Sequence, residues 1–302
     1  MIDVVFCADE TYARYGAVAM ASAIANCSTP HQLHFHWLTT GLSNETHAGL
    51  YKLAEDAGAR IDILELDETV SNGLELGRFG AASLLRLTMH HYLPKTIEKL
   101  VYLDCDVLVL GDLAELWSMP LDGCIAGAVM DLCNPRNLAT RNGVEDYFNS
   151  GILLVDLDKW AIRNVDEQAL TYINEKKDTL KLIDQDALNH VLAKDWKRLP
   201  MAWNFQPTAY AAQEKGYHHL QPYSSELKEA VERPKIVHFI GSTKPWHPGC
   251  THPLQELFVS YSQRTPWPID MKGLKKSLPL SQRIRMALRA PKLRRRRKLT
   301  LR

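Results

Sequence analysis

The segment KLVYLDCDVLVL, residues 99–110, sets two carboxylates, Asp104 and Asp106, inside an apolar run. In extended backbone the side-chain period is two, so this spacing predicts that both acids share one side while Cys105 faces the other. Two carboxylates side by side in low dielectric repel unless a cation bridges them. A divalent metal with oxygen ligands, Mn²⁺ or Mg²⁺ in octahedral geometry, meets that need. The rival reading, an N-cap or turn at a strand end, accounts for one acid but not for both. Two further D-x-D pairs occur. Asp156/Asp158 lies where a strand passes into a helix and reads as a cap. Asp184/Asp186 brackets Gln185 at another helix start, where the macrodipole favours acids, and its spacing leaves its role open.

Ligands of open α/β sheets bind beyond the carboxyl ends of the strands. Two other strand ends carry polar groups there: Asp9 after VVFCA, and His238 within KIVHFIGSTKPW. A histidine joining two aspartates makes a mixed oxygen and nitrogen site suited to Mn²⁺; taken alone it reads as a satisfied core histidine. The same segment supplies Gly241 and Lys244. A lysine beside a glycine turn can clamp phosphate, or stand as ordinary solvated surface.

The elements that must position these groups follow from periodicity. Strand-like IDVVFCA, helical YARYGAVAMASAIANC, strand-like LHFHWLT, helical SNETHAGLYKLAEDAG and strand-like RIDILEL alternate along the first 66 residues. This rhythm predicts an α/β fold with a mainly parallel central sheet covered by helices. Residues 67–80 carry three glycines and read as a loop. An amphipathic helix around AASLLRLTMHHYL, ending at Pro94, precedes the strand with the acid pair. GCIAGAVMD and GILLVDL are expected as strands, KWAIRNVDEQALTYINEKK and DQDALNHVLAK as helices, residues 200–232 as irregular, and KIVHFIG as a strand. No internal repeat of fixed period occurs.

At 302 residues with ordinary globular composition, the chain suits one large α/β domain or a domain with an appendage. It has no apolar run of about eighteen residues, and an acid at position 3 replaces a basic leader, so neither a membrane span nor a signal peptide is expected. The cysteines lack C-x-x-C spacing and several sit in apolar segments, which fits free thiols in a reducing cytoplasm. Glycine-rich dinucleotide and P-loop signatures, H-E-x-x-H and G-x-S-x-G are all absent. What remains is a metal-dependent enzyme whose phosphorylated ligand is neutralised by the metal instead of a glycine-rich cradle.

Seven motifs in order, VVFCADETY, SLLRLTMHHYLP, LVYLDCDVLVLGDLAELW, YFNSGILLVDLDKW, DQDALN, WNFQPTAY and VHFIGSTKPWH, resemble the retaining glycosyltransferases of family 8. The likeness is strongest to bacterial lipopolysaccharide α-galactosyltransferases and α-glucosyltransferases, and covers roughly residues 1–250 plus a basic tail of similar character. The resemblance implies a single nucleotide-sugar-binding domain of the GT-A type, residues 1–262, followed by a basic helical tail, residues 263–302. It implies Asp104, Asp106 and His238 as Mn²⁺ ligands and a UDP-sugar, UDP-galactose or UDP-glucose, as donor. Ala8, Asp9 and Tyr12 resemble the uridine-binding segment, with Tyr12 stacking on the base. Thr11, where relatives tend to carry Asn, and Cys105 fall in the same nucleotide-binding group. Gly241 and Lys244 resemble the diphosphate contacts, and Arg86, Asp131, Asn149, Asp184 and Gln185 the sugar contacts, Gln185 being nearest the anomeric carbon. Retaining glycosidases use a carboxylate nucleophile; the matching residue here is an amide, which favours front-face attack by the acceptor hydroxyl over a double displacement through Asp184. The loop from 71 to 80 is expected to border the acceptor site.

Beyond Asp270 there is no acid, while thirteen Lys and Arg follow. The body keeps 23 basic against 35 acidic residues, a surplus of 12 negative charges. In the tail, Leu280, Ile284, Ala287 and Leu288 fall on one helical face and Arg283, Arg285 and Arg289 elsewhere. That pattern suits an anionic membrane surface, at about 1 kcal/mol per basic residue near the lipid, although polybasic tails also serve as nucleic-acid arms or disordered ends. A lipid-linked saccharide acceptor would bring enzyme and substrate together at the cytoplasmic face of the membrane, with no nucleic acid involved. Two other classes stand beside this reading. A nucleotidyltransferase of sugar-nucleotide synthesis needs a glycine-rich loop that FCADETYARYG lacks. A non-catalytic surface-binding protein has no use for Asp104, Asp106, His238 and Gln185 together.

Overall fold

Residues 1–66, 81–133, 135–176 and 178–300 are described by the structure, a computed structural model. In chain order the elements are β1 (Ile2–Cys7), α1 (Glu10–Asn26), β2 (Leu33–Thr39), α2 (Asn44–Glu55), β3 (Arg60–Glu65), α3 (Ala81–Thr88), β4 (Lys99–Leu103), β5 (Val107–Val109), α4 (Leu113–Trp117), β6 (Ala126–Met130), α5 (Pro135–Asn142), β7 (Phe148–Asp156), α6 (Leu157–Ile162), α7 (Val165–Lys176), α8 (Ile183–Val191), β8 (Trp196–Arg198), α9 (Thr208–Lys215), α10 (Ser224–Glu232), β9 (Ile236–His238), α11 (Gln255–Ser262), α12 (Met271–Lys276) and α13 (Leu280–Leu299).

Seven strands form the central sheet in the order β3-β2-β1-β4-β7-β6-β8. β1 pairs in parallel with β2 and β4, β2 with β3 and β6 with β8, while β7 runs antiparallel to β4 and β6. This is the mainly parallel α/β sheet that the alternating elements predict. Strands leave β1 on both sides, so the carboxyl ends of β1 and β4 flank the crevice where such sheets bind ligands. Alternate strand residues feed two cores, Val4 and Phe6 on one face and Val5 and Cys7 on the other. Helix α1 can lie close to the first face because its buried side is built from Ala13, Gly16, Ala17, Ala19 and Ala23. At Gly16 a Cβ would meet Trp37 at 2.6 Å and the Cys105 sulfur at 3.0 Å.

Four expectations change. The acid-pair segment is not one strand. β4 ends at Leu103, the chain turns through Asp104–Asp106, and β5 pairs antiparallel with β9 in a separate two-stranded ribbon. The Asp104 amide donates to the Gly151 carbonyl of β7 at 2.8 Å, and the Asp106 carbonyl accepts from the Phe239 amide at 2.9 Å, so the backbone changes partner across the pair. The helix expected over 159–177 is two, α6 and α7, broken where Asn164 adopts φ +48°; asparagine is among the few side chains that tolerate this region. Residues 200–232 hold α9 and α10 with short 3₁₀ turns rather than irregular chain. The helix before Pro94 is α-helical only to Thr88 and tightens into a 3₁₀ turn over Met89–His91. The loop expected at 71–80 lies outside the described residues.

The basic tail folds back on the body. Arg296 makes a two-point ion pair with Glu214 at 2.8 Å, Lys292 approaches the same carboxylate at 3.2 Å, and the Thr300 and Tyr210 hydroxyls meet at 2.7 Å. Its other face carries Leu280, Ile284 and Leu288, which are 69%, 53% and 78% exposed. Among the described residues no helix is long and apolar enough to cross a membrane.

Candidate active site

The turn between β4 and β5 aims both carboxylates at the end of β9. Each acid divides its oxygens between two tasks. Asp104 Oδ1 accepts from Arg86 Nη2 at 3.0 Å and from the Tyr102 hydroxyl at 2.8 Å, while Oδ2 lies 3.7 Å from His238 Nε2. Asp106 Oδ2 takes the Lys244 ammonium at 2.5 Å, while Oδ1 lies 3.3 Å from the same imidazole nitrogen. Arg86 and Lys244 are thus the protein's own counter-charges, and they offset part of the desolvation that the sequence assigns to a metal alone. Burial raises the Asp106 carboxyl, but His238 in its protonated, metal-free form and the Lys244 ammonium outweigh it and hold the group below the usual carboxylate range. Burial likewise works against the Lys244 ammonium, and Asp106 reverses it so that its pKa rises.

The inner oxygens and His238 Nε2 fit a divalent cation. One ligand atom each from Asp104, Asp106 and His238 lies within 4.8 Å of the other two, and two carboxylates with one imidazole suit Mn²⁺. His238 Nδ1 is 3.1 Å from Asn204 Oδ1. Asn204 itself is oriented by donating from Nδ2 to Asn149 Oδ1 at 2.8 Å. Its carbonyl oxygen therefore faces the imidazole, so Nδ1 is the donor nitrogen and Nε2 is the one left to meet a metal between the carboxylates. Gly151 leaves the space: a Cβ there would sit 2.2 Å from His238 Cε1 and 2.6 Å from Asp104 Oδ2.

A second cluster stands beside the first. Gln185 Oε1 accepts from Asn149 Nδ2 and the Ser150 amide, both at 3.1 Å. Its Nε2 donates to Asp131 Oδ2 at 3.2 Å and to the Tyr147 hydroxyl at 3.3 Å. Every polar group of this amide is engaged and its rotamer is fixed. Asp131 is held in turn by the Cys133 amide at 2.8 Å. Arg86 joins the clusters: Nη1 donates to the Ser150 carbonyl at 3.0 Å, and Nε lies 3.0 Å from Asp184 Oδ2 as an ion pair without aligned hydrogen-bond geometry. The guanidinium also packs over the Tyr102 ring, 4.8 Å from its centroid. Burial pushes the Asp184 carboxyl upward, with Arg86 opposing; burial opposes the Arg86 charge, but Asp104 and Asp184 carry its pKa well above the usual value. A surface cation would show none of these contacts.

At the end of β1, Ala8 is buried and Asp9 caps α1, accepting from the Tyr12 amide at 3.1 Å. Thr11 and Tyr12 lie exposed on the first helical turn. The Tyr12 ring meets Trp246 edge-on at 5.9 Å, and Trp246 stacks flat on Tyr15 at 3.7 Å. Cys105 turns its thiol to the core, 4.0 Å from the Cys7 carbonyl, so any contact with a ligand falls to its main chain. Gly241 has φ +104°, a turn conformation that favours glycine, directly before the Lys244 segment.

The geometry adds residues that sequence reasoning leaves without a role: Tyr102, Tyr147, Ser150, Gly151, Asn204 and Trp246. Asp186, ambiguous in the sequence, is completely buried. It accepts from Arg141 at 2.7 Å, Asn142 at 2.9 Å, the Tyr147 hydroxyl at 2.5 Å and the Lys181 and Leu182 amides at 3.0 Å. It therefore pins the start of α8 that carries Gln185. Four of these residues, Tyr147, Ser150, Gly151 and Asn204, stood within the quoted motifs YFNSGILLVDLDKW and WNFQPTAY, where polar and glycine residues among aromatic ones were the available signal.

The model of the family described as "Glycosyl transferase family 8" matches residues 3–250. General stress protein A of Bacillus subtilis (strain 168) is 29% identical over 273 residues, spanning 88% of this chain and 95% of that protein. A lipopolysaccharide 1,2-glucosyltransferase of Escherichia coli (strain K12) is 27% identical over 284 residues, spanning 92% and 82%. Among solved structures, the galactosyltransferase LgtC in complex with donor and acceptor sugar analogs superposes with a TM-score of 0.78 at 28% identity, over 93% of this chain and 99% of that one.

Proposed function

We propose, since the chain belongs to glycosyl transferase family 8, that it moves galactose or glucose from a UDP-sugar to a saccharide acceptor of the lipopolysaccharide-core type, with Mn²⁺ or Mg²⁺ and with retention of configuration. The observation that carries this reading is the division of oxygens at the acid pair: Asp104 Oδ2, Asp106 Oδ1 and His238 Nε2 face one another, while Arg86, Tyr102 and Lys244 occupy the outer oxygens. When bound there, the cation supplies Lewis-acid neutralisation of the diphosphate leaving group.

The chain's own residues do the rest. Tyr12 offers an exposed ring to the uracil, backed by Trp246, and the Ala8–Asp9 turn and Thr11 line the nucleoside. Lys244, beside Gly241, is long enough to exchange its Asp106 contact for a phosphate oxygen and stabilise negative charge as it develops. Arg86, Asp131, Asn149 and Asp184 set the hexose. The Gln185 carbonyl oxygen is spent on donors from Asn149 and Ser150 and is a poor nucleophile, and Asp184 is committed to Arg86. The acceptor hydroxyl is therefore expected to attack on the face the diphosphate leaves, passing its proton to a departing phosphate oxygen. Residues 1–262 carry this chemistry. Residues 263–302 are proposed to rest on an anionic membrane surface at the cytoplasmic face, bringing the site to a lipid-linked acceptor.

Hydrolysis of UDP-galactose and UDP-glucose in the presence of Mn²⁺, repeated with Asp106→Ala, tests the assignment. Turnover of one donor that drops at least a hundredfold in the variant supports it. No turnover of any UDP-sugar favours the binding-protein reading.

A further inference from the structure

The strand LHFHWLT places His34 and His36 two residues apart in β2, so both imidazoles stand on the same face of the sheet, with ring centroids 4.1 Å apart. The neighbouring strands bring an acid to each side: Asp3 of β1 is in register with His34, and Asp62 of β3 with His36. The two rings consequently lie between two carboxylates. His34 Nδ1 and His36 Nε2 are 3.5 and 2.9 Å from Asp3 Oδ1. Their opposite nitrogens, His34 Nε2 and His36 Nδ1, are 2.8 and 3.8 Å from Asp62 Oδ2. His36 is completely buried, and its Nδ1 has no hydrogen-bond partner. An unsatisfied buried nitrogen is costly and calls for an explanation. None of the four residues belongs to the site described above: Asp3 and Asp9 are separated by six residues of extended chain, about 20 Å.

We propose that Asp3, His34 and His36 form a second metal centre, for Zn²⁺, with Asp62 orienting the two imidazoles. One ligand atom from each of the three lies within 4.8 Å of the others. Two imidazoles and one carboxylate, with a fourth position for water, make a tetrahedral zinc donor set. With the cation on the Asp3 side, His34 ligates through Nδ1 and donates its Nε2–H to Asp62. His36 ligates through Nε2, and its orphan Nδ1–H needs a shift of about 1 Å to reach the same carboxylate. The donor set separates the centres, because the nitrogen-rich cluster favours zinc where the oxygen-rich one favours manganese. The ion would tie β1, β2 and β3 together at the edge of the sheet.

Equilibrium dialysis against Zn²⁺, using the full chain carrying Asp104→Asn and Asp106→Asn to empty the other site, reads the proposal directly. One Zn²⁺ per chain is expected, with Asp3→Asn and His34→Gln each lowering affinity at least tenfold and Asp62→Asn 10- to 100-fold. The same chain should melt at a higher temperature with Zn²⁺ and revert with EDTA. If the double substitution does not fold, the unaltered chain serves: the Zn²⁺ it retains should fall by one equivalent in His34→Gln. No retained Zn²⁺, or binding undiminished by Asp3→Asn and His34→Gln, overturns the proposal.

Discussion

The side-chain oxygen of Asn204 lies 3.1 Å from His238 Nδ1 and decides which imidazole nitrogen faces the acid pair. Removing it leaves the ring free to rotate or to carry its proton on Nε2, where a cation must bind. Outer hydrogen bonds of this kind are worth about 10- to 100-fold in metal affinity. Asn204→Ala should therefore weaken Mn²⁺ binding by that factor and lower kcat/KM for UDP-sugar hydrolysis in parallel, with activity restored at high Mn²⁺. Unchanged affinity in a titration followed by electron paramagnetic resonance would show that another contact sets the tautomer.

Gly151 makes a sharper test, because its backbone conformation is ordinary and its importance rests on space alone. A single methyl at this position would fall within 2.2 Å of His238 Cε1 and 2.6 Å of Asp104 Oδ2. Neither neighbour can retreat easily, since Arg86 and Tyr102 grip Asp104 and Asn204 holds His238. Gly151→Ala should abolish Mn²⁺-dependent turnover, at least a thousandfold, and cost roughly 1–3 kcal/mol of stability from overpacking. Wild-type turnover with an unshifted melting temperature would mean that β7 has more freedom than these distances allow.

The same two residues show why the site was only partly legible in the sequence. Period-two alternation exposes β1, β2 and β4, and carboxylates inside an apolar run declare themselves because burying charge is expensive. Gly151 and Asn204 declare nothing. They act on residues 47 and 34 positions away, through contacts that exist only after β7 pairs with β4 and β9 packs beside them. Arg86 reaches Asp104 and Asp184 only once α3 is packed across β1 and β2, which its own helix pattern does not announce. The break at Asn164 was hidden because an isolated left-handed residue leaves the apolar pattern on either side intact. The acid pair itself was read as strand because flanking LVYL and VLVL are both extended; that they belong to different sheets is a tertiary fact.

The tail helix divides its docked and its exposed residues along its length. Its last turns dock through Arg296, Lys292 and Thr300, while Leu280, Ile284 and Leu288 near its start face outward. Truncation would also uncover Tyr210, so substitution on the outer face is the cleaner probe of membrane contact. Ile284→Gln with Leu288→Gln should weaken binding to anionic vesicles tenfold or more, at roughly 1 kcal/mol per side chain, and leave UDP-sugar hydrolysis unchanged. Binding should also fall as salt rises. Vesicle binding insensitive to both substitutions would remove the tail as the contact surface.

Beneath the docked end of that helix, His252 is buried against Phe239, with ring centroids 4.6 Å apart, and its Nδ1 accepts from the Leu254 amide at 3.1 Å. Protonation would place a hydrogen where that acceptor must be, next to the Arg296 charge. Burial, with Arg296 adding to it, lowers its pKa from the usual 6.5 to about 3. The unfolded chain therefore binds a proton below pH 6.5 that the folded chain refuses until about pH 3. Stability from this group is complete above the unfolded value and declines as pH falls through that window, by on the order of a few kcal/mol. His252→Asn keeps a side-chain acceptor for Leu254 and cannot titrate, so its unfolding free energy should fall less steeply between pH 6 and about 4 than that of the unaltered chain. Parallel slopes in urea titrations at matched pH would mean that His252 is already protonated, or solvated, in the folded protein.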